Sequence, residues 1–273
     1  MKIFISADIE GIAGVVSIEQ CRAGNIEYEQ ARALMEQEVN AAIKGAYEAG
    51  ATKVVVADSH GSMTNLRSAN IDQRAELVQG KPRPFSMVEG IQQEDFDGLF
   101  LIGYHSAAGE KGILSHTINS AAFYRVAVNG YSMAEADLYT SLALEFATPL
   151  LLVSGDDQLQ GWIEKRYPGV SYCCVKRMIS STAAQSLSPS NAQQKIRAAA
   201  FNAVTNLTQT QSKLIKAPYK LELSTTKTVM ADVLSLIPEV ELVDARTVSY
   251  TASDMKSLIS LLCALSYLGS TQS

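Results

Sequence analysis

The first part of the chain contains several short runs of apolar residues, and each has the composition of a strand buried on both faces of a parallel sheet. A stretch with helical periodicity, Glu27–Ala49, separates the first two runs and ends at Gly50. A strand, a helix and a second strand in this order predict a right-handed crossover and parallel pairing. The apolar runs are Ile3–Ile5, Lys53–Ala57, Leu99–Ile102 and Leu150–Val153.

The last part of the chain follows a different pattern, in which short strands precede a long helix predicted over Ser253–Leu268. We therefore expect an α/β fold with a mostly parallel sheet and flanking helices, plus a smaller C-terminal α+β unit. The expected domains are an α/β metal-binding catalytic domain at residues 1–187 and the C-terminal unit, packed on it, at residues 188–273. A polar segment at residues 205–217 is interpreted as a connection. The C-terminal strands are predicted at Tyr219–Leu223, Val240–Val243 and Thr247–Thr251.

Further elements are expected between these two parts. Phe123–Val128 is predicted to be a strand, and a helix is expected to begin near Ala134. Val170–Val175 is predicted to be an edge strand. Asp156 and Asp157 follow the fourth apolar run and are expected to cap the helix after it.

Composition narrows the class of protein. Hydrophobic residues make up 47% of the 273 residues, yet no apolar stretch is long enough to span a bilayer. The net charge of −5, without a basic stripe, argues against a nucleic-acid partner. Asp8 and Glu10 interrupt the apolar stretch that a signal peptide needs, so we expect a cytoplasmic protein. The cysteines lack the paired spacing of a structural zinc site and do not suggest a disulfide framework. They are Cys21, Cys173, Cys174 and Cys263.

Candidate chemistry lies where the predicted parallel strands end. Asp8 and Glu10 follow the first strand, two residues apart, so on an extended backbone they project from the same face. His60 follows the second strand and His105 the third. The carboxyl ends of parallel strands line the ligand crevice, so these side chains are expected to converge. Taken singly, the two acids are also typical of a solvated turn, and each histidine of a capping or core residue.

Two further residues complete the candidate set. Glu135 falls in the first turn of a predicted helix, where the helix dipole favours a carboxylate in any protein, but it is also a candidate metal ligand. His116 lies in a polar run away from a strand end. It is therefore a candidate acid, base or nucleophile rather than a ligand.

Carboxylates and imidazoles together suit zinc, with manganese or cobalt as alternatives. Five ligands are too many for one tetrahedral catalytic zinc with an open position, whereas two ions about 3.5–4 Å apart can share a bridging carboxylate. Asp8, at the strand terminus, is the expected bridge. Such a pair generates hydroxide near neutral pH and polarises a carbonyl, which predicts a hydrolase. The expected ligands are Asp8, Glu10, His60, His105 and Glu135.

The motifs SADIEGIAG, ADSHG, PFSMVEG, LIGYHS, SHT and GDD, in this order, resemble those of the DppA-type D-aminopeptidases, a zinc metallopeptidase family. The segments KRMISSTA and SLSPSNA extend the resemblance over nearly the whole chain. It implies a dinuclear zinc site on the five ligands named above, with Asp8 bridging, and His116 as the catalytic histidine. It also implies release of N-terminal D-amino acids, typically D-Ala, from short peptides, by a ring-like homo-decamer of stacked pentamers.

Other functions stay open at this point. The metal pattern alone also suits another two-metal hydrolase, such as an amidase or a phosphoesterase. The family's older name, dipeptide transport protein, suggests a peptide-binding protein without enzymatic activity. A nucleotide-binding domain is disfavoured because no G-x-G-x-x-G follows the first strand.

Overall fold

The computed structural model describes residues 1–206 and 214–272, in which the chain forms twelve β-strands and six α-helices. In chain order the strands are β1 (Lys2–Ala7), β2 (Lys53–Asp58), β3 (Glu76–Val78), β4 (Gly98–Ile102), β5 (Phe123–Val128), β6 (Tyr131–Ser132), β7 (Leu150–Asp156), β8 (Ser171–Ser180), β9 (Ala183–Ser186), β10 (Tyr219–Thr225), β11 (Glu241–Asp244) and β12 (Thr247–Ala252). The α-helices are α1 (Ile26–Glu48), α2 (Glu135–Ala143), α3 (Asp157–Arg166), α4 (Pro189–Thr205), α5 (Thr228–Leu234) and α6 (Met255–Ser270).

Seven strands form the main sheet, in the order β3-β2-β1-β4-β7-β8-β9. Neighbouring strands pair in parallel, except for the antiparallel β8–β9 pair at one edge. The four apolar runs are β1, β2, β4 and β7, and each is buried because helices or a second sheet cover both faces. The predicted α/β class with a mostly parallel sheet is confirmed.

The two faces of the main sheet have different partners. Ile3 and Ile5 face a core that includes the buried sides of α1 and α4. These two helices approach closely at Gly45, where a Cβ atom would lie 2.2 Å from the Arg197 carbonyl oxygen. Phe4 faces the opposite core, which contains α2, α6 and the second sheet.

The second sheet is antiparallel and has the strand order β11-β12-β10-β5-β6. It supports the expectation of a smaller α+β unit, because α5 and α6 pack on its strands. Its β5 and β6 come from the middle of the chain, and α4 packs on α1 rather than on this sheet. The division into domains at residues 187 and 188 stays a prediction, and most of the predicted connection at residues 205–217 lies outside the described residues.

Two local expectations concern the end of the main sheet. The predicted edge strand at Val170–Val175 forms the first half of β8, which pairs with β7 alone, whereas β9 pairs with the second half, from Lys176 to Ser180. The sequence does not reveal β9, since its residues, Ala183–Ser186, contain no large apolar side chain. Asp156 does cap α3, accepting hydrogen bonds from the backbone of Gln158 and Leu159. Among the described residues, no helix has the length and apolar character needed to cross a membrane.

Candidate functional site

The predicted residues converge at the carboxyl end of the main sheet. His60 Nδ1 lies 3.3 Å from Asp8 Oδ1 and 3.0 Å from Glu10 Oε2. On the other side of Asp8, His105 Nε2 lies 3.3 Å from Asp8 Oδ2 and 3.4 Å from Glu135 Oε2. The carboxylate of Asp8 thus lies between the two imidazoles, with one oxygen facing each. We call these five residues the acidic cluster.

Backbone contacts between neighbouring loops bring the cluster together. Asp8 N donates to the Ile102 carbonyl at 2.8 Å, and Gly11 N donates to the Gly103 carbonyl at 2.7 Å. A Cβ atom at Gly11 would lie 2.1 Å from the Tyr104 carbonyl oxygen, so only glycine permits this approach. The loop that carries Asp8 and Glu10 is therefore held directly against the loop that carries His105.

Each histidine uses one ring nitrogen to bond a main-chain carbonyl. His60 Nε2 donates to Cys21 O at 2.7 Å, and His105 Nδ1 donates to Ser106 O at 3.0 Å. His116 Nδ1 donates to Leu114 O at 3.0 Å. These bonds fix the orientation of each ring and turn the other nitrogen toward the carboxylates, an arrangement typical of metal-binding histidines.

The acidic cluster is buried, which makes its charges costly. Asp8, Glu10 and Glu135 expose 2%, 3% and 3% of their surface. Burial acts to raise the pKa of Asp8, but the adjacent imidazoles outweigh it and hold that pKa well below its usual range. Burial likewise acts to lower the pKa of His60, yet the nearby Glu10 carboxylate helps to raise it well above its usual value.

Two ligand-type atoms in the cluster have no hydrogen-bond partner among the residues that the structure describes. They are Glu10 Oε2 and His105 Nε2, and both are buried. Ligand atoms of Asp8, Glu10 and His105 lie within 4.8 Å of one another. Three buried carboxylates with two imidazoles leave negative charge and unpaired lone pairs that a divalent cation satisfies, so these residues fit zinc.

His116 lies beside the cluster rather than at a strand end. Its ring stacks on that of His105 with centroids 4.1 Å apart, and its Nε2 lies 3.9 Å from Glu135 Oε1. His105, His116 and Glu135 also have ligand-type atoms within 4.8 Å of one another. The geometry therefore allows His116 to act on a molecule at the cluster, and also to bind a metal itself.

A pocket of about 370 Å³ opens onto the acidic cluster and His116. Another wall is formed by the turn that contains Lys81 and by one side of α6. Sequence reasoning missed this wall because the residues of α6 have the pattern of an ordinary amphipathic helix. The α6 residues that line the pocket are Cys263, Ser266, Tyr267 and Ser270.

Two buried charged residues support the loop that carries Glu10. Lys176 Nζ donates to the carbonyl oxygens of Glu10, Ile12 and Val15, and Glu38 Oε1 accepts a hydrogen bond from Ala13 N at 2.9 Å. Burial lowers the pKa of the lysine to about 8 and raises that of the glutamate to about 7. Neither contact is visible in the local pattern of apolar and polar residues.

Comparisons with known proteins agree with the resemblance found in the motifs. The chain is 36% identical, over 194 residues, to a D-aminopeptidase of Bacillus subtilis (strain 168), covering 70% of this chain and 69% of that protein. It superposes with a TM-score of 0.94 on the solved structure of Zn-dependent D-aminopeptidase DppA from Bacillus subtilis, described as a self-compartmentalizing protease. That match has 29% sequence identity and covers 99% of this chain and 98% of DppA. The model of peptidase family M55 matches residues 1–264, and the chain belongs to this family, the D-aminopeptidases.

Proposed function

We propose that the protein is a zinc-dependent aminopeptidase that releases N-terminal D-amino acids, of the D-Ala type, from short peptides. The observation that carries this proposal is the buried acidic cluster in the lining of a pocket, in a chain of the D-aminopeptidase family. The Zn-dependence of the B. subtilis DppA supports the choice of metal.

The five residues of the acidic cluster would hold two zinc ions per subunit, with manganese or cobalt as substitutes. Asp8 is the proposed shared ligand, because its two oxygens face His60 and His105. When bound, the zinc ions would lower the pKa of water enough to supply hydroxide near neutral pH and would polarise the scissile carbonyl. The second ring nitrogens of both histidines are already bonded to carbonyls, so the rings need not reorient.

We assign His116 as the catalytic residue. Its Nδ1 donates to Leu114 O, so the neutral ring has a free lone pair on Nε2, and the residue lines the pocket. At this nitrogen the ring can take up a proton during attack on the peptide carbonyl and deliver it to the departing amine. Stacking on His105 holds the ring in place for both transfers.

We further propose a homo-oligomer, a decamer by the family resemblance, and a cytoplasmic location. The proposal of a homo-oligomer rests on the description of DppA as self-compartmentalizing and on the superposition, which covers nearly the whole DppA chain. The molar mass from light scattering tests the assembly, and a mass of one or two subunits would contradict it.

The test of function combines metal content with a substrate pair. We expect about two zinc ions per subunit and faster hydrolysis of D-Ala-D-Ala than of L-Ala-L-Ala. His60→Ala and His105→Ala should lose zinc and activity together, while Lys44→Met, on the exposed side of α1, should change neither.

Three results would contradict the proposal. Unchanged zinc content in both histidine variants would refute the site. Two zinc ions without peptide hydrolysis would favour a phosphoesterase or another amidase. Tight peptide binding without turnover, in protein replete with zinc, would favour the peptide-binding protein.

A further inference from the structure

The part of the pocket lining that contains Lys81 is fixed by a network around Arg83. The guanidinium group of this buried residue donates to the Asp58 and Val78 carbonyls, both at 2.9 Å, and to the Gly80 carbonyl. Asp58 is the last residue of β2, just before His60. The turn that contains Lys81 is therefore anchored to the same strand end as one of the proposed metal ligands.

Helix α6 is joined to this turn by two side chains. Ser260 Oγ donates to Pro84 O at 3.1 Å, and Cys263 Sγ donates to Arg83 O at 3.5 Å. On the pocket side of the helix, the ring of Tyr267 lies below Lys81, with Nζ 5.6 Å from the ring centroid. Lys81 is thus held above a defined wall of the pocket.

Charge is distributed unevenly across this pocket. Its lining carboxylates are those of Asp8, Glu10 and Glu135 in the acidic cluster. Apart from histidines, its lining cations are Arg22 and Lys81. Arg22 pairs with a glutamate, Glu19, at 3.6 Å, whereas Lys81 forms no ion pair with any described residue. The same pocket is therefore lined by the carboxylates of the acidic cluster and, outside the cluster, by an ammonium group that has no ion-pair partner among the described residues.

A short peptide has the complementary distribution, since the scissile bond lies near its amino terminus and its carboxylate lies at the other end. We propose that Lys81 binds the C-terminal carboxylate of short peptide substrates and makes the enzyme favour free peptides over peptide amides. This inference rests on the proposed function. An ammonium–carboxylate hydrogen bond is among the stronger ones in proteins, and the ring of Tyr267, which also lines the pocket, attracts the ammonium group toward it.

A matched pair of substrates tests the inference, because D-Ala-D-Ala and D-Ala-D-Ala amide differ only at the terminal carboxylate. Lys81→Met should raise KM for the free dipeptide about tenfold, with kcat nearly unchanged, and leave kcat/KM for the amide at the wild-type value. Lys81→Arg should restore most of the preference. Lys44→Met is the control for loss of one exposed positive charge.

Each alternative outcome has a definite meaning. Equal loss on both substrates, or no loss on either, would overturn the role of Lys81. A selective loss in Arg22→Met but not in Lys81→Met would overturn it too, because the carboxylate would then bind at the other wall. If the wild-type protein hydrolyses the amide but Lys81→Met shows no selectivity, only this inference fails. If the zinc-loaded wild type hydrolyses neither substrate, the proposed function fails as well.

Discussion

Replacing Lys176 by methionine tests how the loop that carries Glu10 is held in position. The lysine is 2% exposed, and its ammonium group donates to the carbonyl oxygens of Glu10, Ile12 and Val15. Methionine has a similar length and is apolar, so the substitution removes the donors with little change in packing. The variant therefore removes the three hydrogen bonds together with the buried charge, while the volume of the side chain stays similar.

The loss of stability in Lys176→Met depends on which of the three carbonyl oxygens keep a hydrogen-bond partner. Ile12 O still accepts from Val15 N at 3.2 Å, whereas Glu10 O and Val15 O have no other partner among the described residues. Two buried carbonyls without partners cost about 2–6 kcal/mol, and removal of a buried ammonium offsets part of this. We expect a net loss of about 2 kcal/mol in the free energy of unfolding of the metal-free protein.

The same change should weaken metal binding, because the loop positions one of the proposed ligands. Loss of a group that orients a ligand typically lowers metal affinity about 10- to 100-fold. Competition with a chromogenic chelator measures zinc affinity, and denaturant unfolding measures stability. Lys195→Met, on the exposed side of α4, is the control. Wild-type zinc affinity in folded Lys176→Met would refute the reasoning, since the loop would then hold Glu10 without the ammonium group.

Four further experiments test other parts of the structure. His116→Gln should keep zinc and lower kcat by about 10²–10⁴-fold; loss of zinc would identify His116 as a ligand. Because burial raises the pKa of Glu38 from 4.5 to about 7, the free energy of unfolding should fall by about 3 kcal/mol as the pH rises between these values. Glu38→Gln should remove that fall. If the variant shows the same pH dependence of the free energy of unfolding as the wild type, the fall does not come from Glu38. Gly11→Ala should destabilise the protein by more than about 2 kcal/mol, since its Cβ meets the Tyr104 carbonyl; wild-type stability would show that the loops can separate. Removal of zinc by a chelator should lower Tm reversibly. If zinc was present at a hundred times its Kd, its removal should lower the free energy of unfolding by about 3 kcal/mol. An unchanged Tm would argue against a bound metal.

Much of the main sheet and of the acidic cluster could be predicted because a strand that is buried on both faces consists almost entirely of apolar residues. The runs around Phe4, Val55 and Phe100 are apolar throughout, and the structure shows them as neighbouring parallel strands. Once the strands were located, the placement of His60 and His105 at one edge followed from topology alone.

The missed features depend on contacts between distant parts of the chain. Lys176 stands between Val175 and Arg177 in β8, where a lysine is usually exposed, and only the fold shows that it is buried under the loop after β1. Tyr267 has the sequence context of a solvent-facing helix residue, yet it faces the pocket beside Lys81. Local pattern does not distinguish solvent from a pocket, because both accept polar side chains.

The second sheet joins β5, from the middle of the chain, to β10 and β12, and α6 follows them. Ribosomes make proteins from the amino terminus, so the strands that precede Asp8, Glu10, His60 and His105 emerge first, and Glu135 follows at the start of α2. At that stage β5 has been made but cannot yet pair with β10. Until α6 emerges, the pocket lacks the wall that contains Tyr267. A growing chain can therefore assemble its metal ligands before it is able to enclose a peptide, which delays substrate capture until α6 has been made.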